Sequence, residues 1–239
     1  MAKILLVHGA WHGAECWHKL TPLLRAQGHE VIAPDLPGMG ADKTPLARLA
    51  MKDWVEAVLA AIRATPGPAV LVGHSRGGMV ISAVAEAAPE LVSALIYLAA
   101  YVPADGQSLA GIIKAYGGQL MPIVVDQPSR SCLPGEVDPV ELFYHDCSDE
   151  DAAFALGGLC PEPLFGLMAP VRLSAARFGV VPKYYIECTQ DRTVRPARQQ
   201  LMQQTWPLRR VVKLDTGHSP FLSNPGALAT AIDGVAQPL

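Results

Sequence analysis

Serine, histidine and aspartate together can activate a hydroxyl for attack on a carbonyl carbon, and all three stand at telling positions in this chain. Ser75 occupies Gly73-His74-Ser75-Arg76-Gly77-Gly78, a G-x-S-x-G pattern. The pattern alone is common, but its context narrows it. Four apolar residues, 69–72, lead in with strand character, and an Ala-rich helical stretch over 76–88 leads out. A serine on so sharp a strand-to-helix turn presents its hydroxyl beyond the end of a sheet. Gly73 and Gly77 remove side chains that would collide across the turn. The following helix N-terminus favours developing negative charge. The chemistry predicted is acyl transfer with Ser75 as nucleophile. A phosphate loop is not predicted, because neither GxxxxGK[ST] nor a full GxGxxG is present.

A nucleophile of this kind needs a base, and the base needs an acid to hold its tautomer. In chain order these follow the serine as acid, then histidine. Only His145 and His218 follow Ser75. His218 lies just past a predicted strand at 210–214, on the rim where parallel strands end and ligands bind, and is the expected base. Asp191 follows a predicted strand at 184–188 and reaches the same rim, so it is the expected acid. Glu187 lies inside that strand, and Asp215 is close enough to His218 for a loop-shaping role. The first strand, 4–7, ends in His8-Gly9-Ala10-Trp11-His12-Gly13. Acyl transfer needs two backbone donors aimed at an oxyanion; the N–H groups of Ala10 and Arg76 are the expected pair. His8 and His12 are expected to brace this loop by hydrogen bonds.

The elements that position these residues alternate along the chain. Short apolar runs at 4–7, 30–33, 69–72, 94–98, 184–188 and 210–214 alternate with helical stretches at 17–27, 51–64, 76–88, 197–205 and 225–236. This is the pattern of a mostly parallel sheet covered on both faces. The alternation fails between 103 and 182, which is rich in Pro and Gly. A structureless loop of that length is implausible, so residues 1–102 and 183–239 are read as an α/β core and 103–182 as an inserted helical lid. Apolar lid residues left facing Ser75 would form a substrate pocket. Candidates for that pocket are Tyr116, Leu120, Phe143, Tyr144, Leu164 and Phe165, with Gly9 and Trp11 from the first loop.

Composition bounds the rest. Among 239 residues, 50% are hydrophobic and the formal charge is −3. That leaves no basic footprint for nucleic acid or anionic membrane. No apolar run is long and clean enough to span a bilayer, and the N-terminus lacks a signal-peptide pattern. Five scattered cysteines without CxxC spacing are expected to be free thiols, and a cytoplasmic location is the expectation. No metal or organic cofactor is required. The expected partner is a small-molecule ester; a homodimer is compatible with the sequence, which does not fix oligomeric state.

Taken together, His8–Gly13, Trp17, Gly73–Gly78, Thr189–Asp191 and Gly217-His218 resemble the α/β-hydrolases that include plant methylesterases, hydroxynitrile lyases and bacterial small-ester hydrolases. The resemblance covers nearly the whole core and implies an α/β-hydrolase fold. By it Ser75, Asp191 and His218 match the family triad, and Ala10 and Arg76 its oxyanion donors. Hydroxynitrile lyases of the family carry a threonine in the oxyanion loop and a lysine after the catalytic histidine; here those positions hold Gly9 and Ser219. Without that lysine, departing cyanide has no cation beside it, whereas ester hydrolysis needs none. A serine esterase acting on small-to-medium hydrophobic esters is therefore expected. The alternatives are a lyase, lactonase or thioesterase on the same residues, or a non-catalytic ligand receptor.

Overall fold

The computed structural model describes residues 1–236. The chain opens on β1 (Lys3–Val7), makes a 3-10 turn at Ala14–Trp17 and enters α1 (Leu20–Ala26). The helix expected from residue 17 starts three residues late. Pro22 tolerates a place only in a helix's first turn, and starting at Leu20 puts it there. β2 (Glu30–Ile32), α2 (Met51–Arg63), β3 (Ala69–His74), α3 (Gly77–Ala87) and β4 (Val92–Leu98) follow. Residues 103–182 contain α4 (Leu109–Ala115), β5 (Ile123–Asp126), β6 (Ser131–Pro134), α5 (Asp149–Gly157), β7 (Glu162–Pro163) and α6 (Leu164–Met168). The chain then forms β8 (Lys183–Cys188), α7 (Pro196–Met202), β9 (Arg210–Leu214), α8 (Pro220–Ser223) and α9 (Pro225–Ala236).

The main sheet has six strands in the order β2-β1-β3-β4-β8-β9, all parallel. Every residue of β3 is buried, as is all of β4 except Ser93, which is why these strands read as continuous apolar runs rather than alternating ones. Helix α2 buries Trp54, Val55, Val58, Leu59 and Ile62 along one stripe. Its start is fixed by the Asp53 carboxylate, which accepts the Ala50 N–H at 2.8 Å. Its end is tied back to the first strand by buried Lys3, whose Nζ donates to the carbonyls of Ile62, Thr65 and Gly67 at 2.9, 2.6 and 2.7 Å. A cation at a helix C-terminus also opposes the helix dipole.

Residues 103–182 are not all helical. β5, β6 and β7 form a small antiparallel sheet, built from strands of two to four residues, too short for alternation to be readable in the sequence. All five cysteines are unpaired. Among the described residues no helix is long and apolar enough to cross a membrane.

Helix α3 lies unusually close to its neighbours. A Cβ on Gly77 would sit 2.6 Å from the Val7 carbonyl oxygen, and one on Gly73 would sit 2.7 Å from the Gly77 oxygen. Both neighbours are backbone and cannot swing aside. Gly77→Ala is therefore expected to lower the unfolding free energy by about 1–3 kcal/mol, read as a lower urea midpoint at unchanged slope.

Candidate active site

Between β3 and α3 the chain turns at Ser75 with φ +52°, a left-handed conformation rare for a residue with a side chain. The turn is held by its own backbone. The Ser75 N–H donates to the Leu98 carbonyl, and the Ser75 carbonyl accepts the N–H groups of Gly78 and Tyr101, each at 3.1 Å. Ser75 and His218 border one cavity of about 510 Å³.

His218 follows β9 in a loop fixed by the Gly217 N–H, which donates to Asp146 Oδ2 at 2.6 Å. Its Nδ1–H donates to Asp191 Oδ2 at 2.7 Å, and both side chains are buried. That bond leaves Nε2 without the proton and able to accept one. Asp191 is itself clamped. Its Oδ1 accepts the N–H groups of Thr193 and Val194 at 2.7 and 2.9 Å, and Gln199 Nε2 lies 3.4 Å from Oδ2. Asp215 is instead bonded to Thr189 and Gln190, a loop-shaping role. Glu187 takes Gln200 and Gln203. His145 donates to the Gln190 carbonyl and does not border the cavity.

Opposite, the loop after β1 approaches so closely that a Cβ on Gly9 would lie 3.2 Å from the Ser75 Cβ and 2.9 Å from His74 Nδ1. Ala10 and Arg76 both border the cavity, and among the described residues neither backbone N–H has an acceptor. The two amides can thus donate to an anionic oxygen. The loop's histidines brace it. His8 Nδ1–H donates to the Gly9 carbonyl at 3.0 Å, while its Nε2 accepts the Leu36 N–H at 3.2 Å. His12 Nδ1–H donates to the Ala10 carbonyl and its Nε2 accepts from the Tyr144 hydroxyl, both at 2.6 Å. Burial pushes His8 down to about 3 and His12 to about 4, so both are neutral, as acceptance at one nitrogen requires.

Two partners escaped the sequence reading. His74, inside the serine motif, donates from Nε2 to the His218 carbonyl at 2.9 Å and packs its ring 4.5 Å from that imidazole. The other is Glu162, fully buried, whose Oε1 lies 3.0 Å from Arg76 Nε. Glu162 Oε2 also accepts the Trp11 N–H at 3.3 Å, and Arg76 Nη2 donates to the Gly9 carbonyl at 2.8 Å. Burial pushes the Arg76 guanidinium down and the Glu162 carboxyl up from their ordinary values, and each partner's charge works against that push. No local signal marks Glu162, which sits on a two-residue strand.

Of the expected pocket residues, Gly9, Trp11, Leu120 and Phe143 border the cavity; Tyr116, Tyr144, Leu164 and Phe165 do not. Tyr144 is turned behind the loop by its bond to His12. Phe165 packs tilted against Trp54 with ring centroids 4.5 Å apart, the same ring that carries the Arg76 guanidinium at 4.2 Å, and its neighbour Leu164 packs against the core. The Tyr116 hydroxyl turns toward Thr205 at 3.4 Å. Tyr144 lies in a π-helical turn at Val140–Tyr144, and Leu164 and Phe165 lie in the five-residue α6, so a period of 3.6 does not anticipate where these three point.

The sheet, its covering helices and the turn at Ser75 define an α/β hydrolase. Residues 4–231 match the alpha/beta hydrolase family, and the chain belongs to it. It is 32% identical over 206 residues to salicylic acid-binding protein 2 of Nicotiana tabacum, covering 80% of this chain and 79% of that one. It is 28% identical over 249 residues to methylesterase 1 of Arabidopsis thaliana, covering 94% and 92%. Polyneuridine aldehyde esterase superposes with a TM-score of 0.89 at 26% identity, covering 99% of this chain and 100% of that chain. A pyrethroid hydrolase from Sphingobium faniae JZ-2 gives 0.84 at 28%, covering 98% and 97%. With such relatives the activity class is carboxylic ester hydrolysis.

The buried pair behind the loop can be tested by removing one member. Glu162→Ala leaves a buried guanidinium unpaired and is expected to cost about 3–5 kcal/mol in chemical denaturation. Glu162→Gln, able to accept the Trp11 N–H, is expected to cost less.

Proposed function

We propose that the chain hydrolyses small-to-medium hydrophobic esters in two acyl-transfer steps, with Ser75 as nucleophile, His218 as general base and acid, and Asp191 as the carboxylate that orients it. His218 Nε2 takes the Ser75 proton as the oxygen attacks the carbonyl carbon. The Ala10 and Arg76 N–H groups receive the oxyanion, and His218 returns the proton to the departing alcohol. Water, deprotonated by His218, then frees the acid. Asp191 stays ionised and stabilises the imidazolium. The observation that carries this reading is the Asp191-held imidazole bordering one cavity with Ser75 and with two amide N–H groups that have no acceptor.

Residues 103–182 act as the lid of this cavity, supplying an apolar wall that includes Leu109, Ile113, Leu120, Phe143 and Leu167. The methylesterase relatives support a small leaving alcohol. A cyanohydrin lyase is disfavoured by Ser219, which supplies no cation after His218, and by Gly9, where a β-carbon would crowd His74.

Ser75→Ala is expected to lower turnover of a nitrophenyl ester by about 10⁴-fold or more and to abolish labelling by a fluorophosphonate. A loss under about tenfold sinks the assignment. In the same assay Asp191→Asn is expected to fall far below Asp215→Asn; the reverse ranking moves the acid to Asp215.

A further inference from the structure

The cavity is lopsided in charge. Among the described residues four arginines border it, Arg76, Arg192, Arg195 and Arg198, and no aspartate or glutamate does. Two of the four are neutralised from behind: Arg76 by Glu162, and Arg192 by Glu141. Arg195 and Arg198 have no ion-pair partner among the described residues. Arg195 is exposed, at the mouth. Arg198 is deeper: its guanidinium lies against the backbone of Gly118, and its Nε is buried without a hydrogen-bond partner.

Arg198 also stands beside the Tyr101 hydroxyl. Burial raises that hydroxyl to about 12, against which the Arg198 charge works. Tyr101 is the residue whose backbone N–H donates to the Ser75 carbonyl, so the unpaired cation is one tyrosine side chain away from the reacting serine. A partly buried guanidinium without an anion is costly to maintain, and a planar fork of donors matches a carboxylate in particular. The neighbouring neutral phenol, with its proton, can add a donor to the same anion.

Resting on the ester-hydrolase reading, we propose that the preferred substrates carry a free carboxylate at the end remote from the scissile ester, as in the half-esters of aliphatic dicarboxylic acids. Arg198 is the specificity-determining residue that receives the carboxylate, Arg195 contributes long-range attraction at the mouth, and the apolar wall holds the hydrocarbon between the two ends. Neutral esters of the same length fill the same wall but leave Arg198 unpaired.

The test compares methanol release from the monomethyl esters of glutaric, adipic and pimelic acid with that from methyl pentanoate, hexanoate and heptanoate. These are matched in chain length and differ only in the terminal carboxylate. The expected result is a kcat/KM about tenfold or more higher for the best half-ester than for its neutral match, carried by KM. Salt near 0.5 M should narrow the gap by screening. Arg198→Gln should cut the ratio by about tenfold or more, and Arg198→Lys should restore part of it. Free adipate should also inhibit wild-type hydrolysis of methyl hexanoate more strongly than hexanoate does. That arm needs no variant and so holds even if Arg198→Gln fails to fold. Neutral esters cleaved by Ser75 at a rate equal to or above that of every half-ester overturn the proposal alone and leave the hydrolase reading standing. So does a ratio that Arg198→Gln leaves in place. Wild-type protein that cleaves neither series, nitrophenyl esters included, overturns both.

Discussion

The left-handed backbone at Ser75 is the constraint on which the surrounding structure depends. A residue with a side chain at that φ costs about 1–3 kcal/mol, and three backbone hydrogen bonds of about 0.5–1.5 kcal/mol each can offset it. Two of those bonds exist only if β4 runs alongside β3 to its very end, because the Leu98 carbonyl and the Tyr101 N–H lie at or just past the end of β4; the third, from the Gly78 N–H, comes from the first turn of α3. The turn also forces α3 back against the sheet, where the Val7 oxygen faces Gly77 and the Tyr101 oxygen faces Gly78. The glycines after the serine are thus a consequence of where two neighbouring backbones must pass.

The loop opposite the turn poses a different difficulty, since it must approach Ser75 without filling the space a reacting carbonyl needs. Gly9 provides the approach, and Trp11, at φ +61°, reverses the chain. Several buried groups hold that shape: Arg76 and His8 on the Gly9 carbonyl, His12 on the Ala10 carbonyl, Glu162 on the Trp11 N–H. Burial keeps the imidazoles of His8, His12 and His74 neutral. A neutral imidazole donates at one nitrogen and accepts at the other, whereas an imidazolium would repel Arg76 and lose its acceptor. The buried charges behind the loop, Arg76 and Glu162, sit together as a pair, and the groups nearest the proposed oxyanion are dipoles fixed in direction.

What could be read from the sequence follows the same physics. The serine turn is legible because a local motif of strand, glycines and helix is enough to specify it. β9 falls at the expected residues 210–214, and with its position on the parallel sheet the rim location of His218 follows. Asp191 is legible as an aspartate just past a strand end on the rim that holds His218, although its Thr193 and Val194 clamp is not. Glu162 was invisible because its partner, Arg76, lies 86 residues earlier and its own strand has two residues. Tyr144 and Phe165 are pocket candidates only as apolar residues of the inserted segment, a criterion that carries no direction. A π-helical turn and a helix of five residues carry no usable periodicity, so nothing local says which way their rings face.

That unevenness has a functional side. The groups proposed for the chemistry stand at the ends of strands whose register is fixed by pairing, while much of the cavity wall comes from short elements between 109 and 167. The exception is the loop after β8. Asp191 is held by the amides of Thr193 and Val194, so the backbone leading to Arg195 and Arg198 starts from the same clamp that orients His218. Gln199, one residue on, reaches back to the Cys188 and Val194 carbonyls at 3.0 and 2.7 Å. The backbone that carries the arginines is therefore fixed relative to the imidazole. A displacement that moved them away from the cavity would also loosen the carboxylate behind His218. The charge that these arginines bring to the cavity and the orientation of the proposed base are set by one turn.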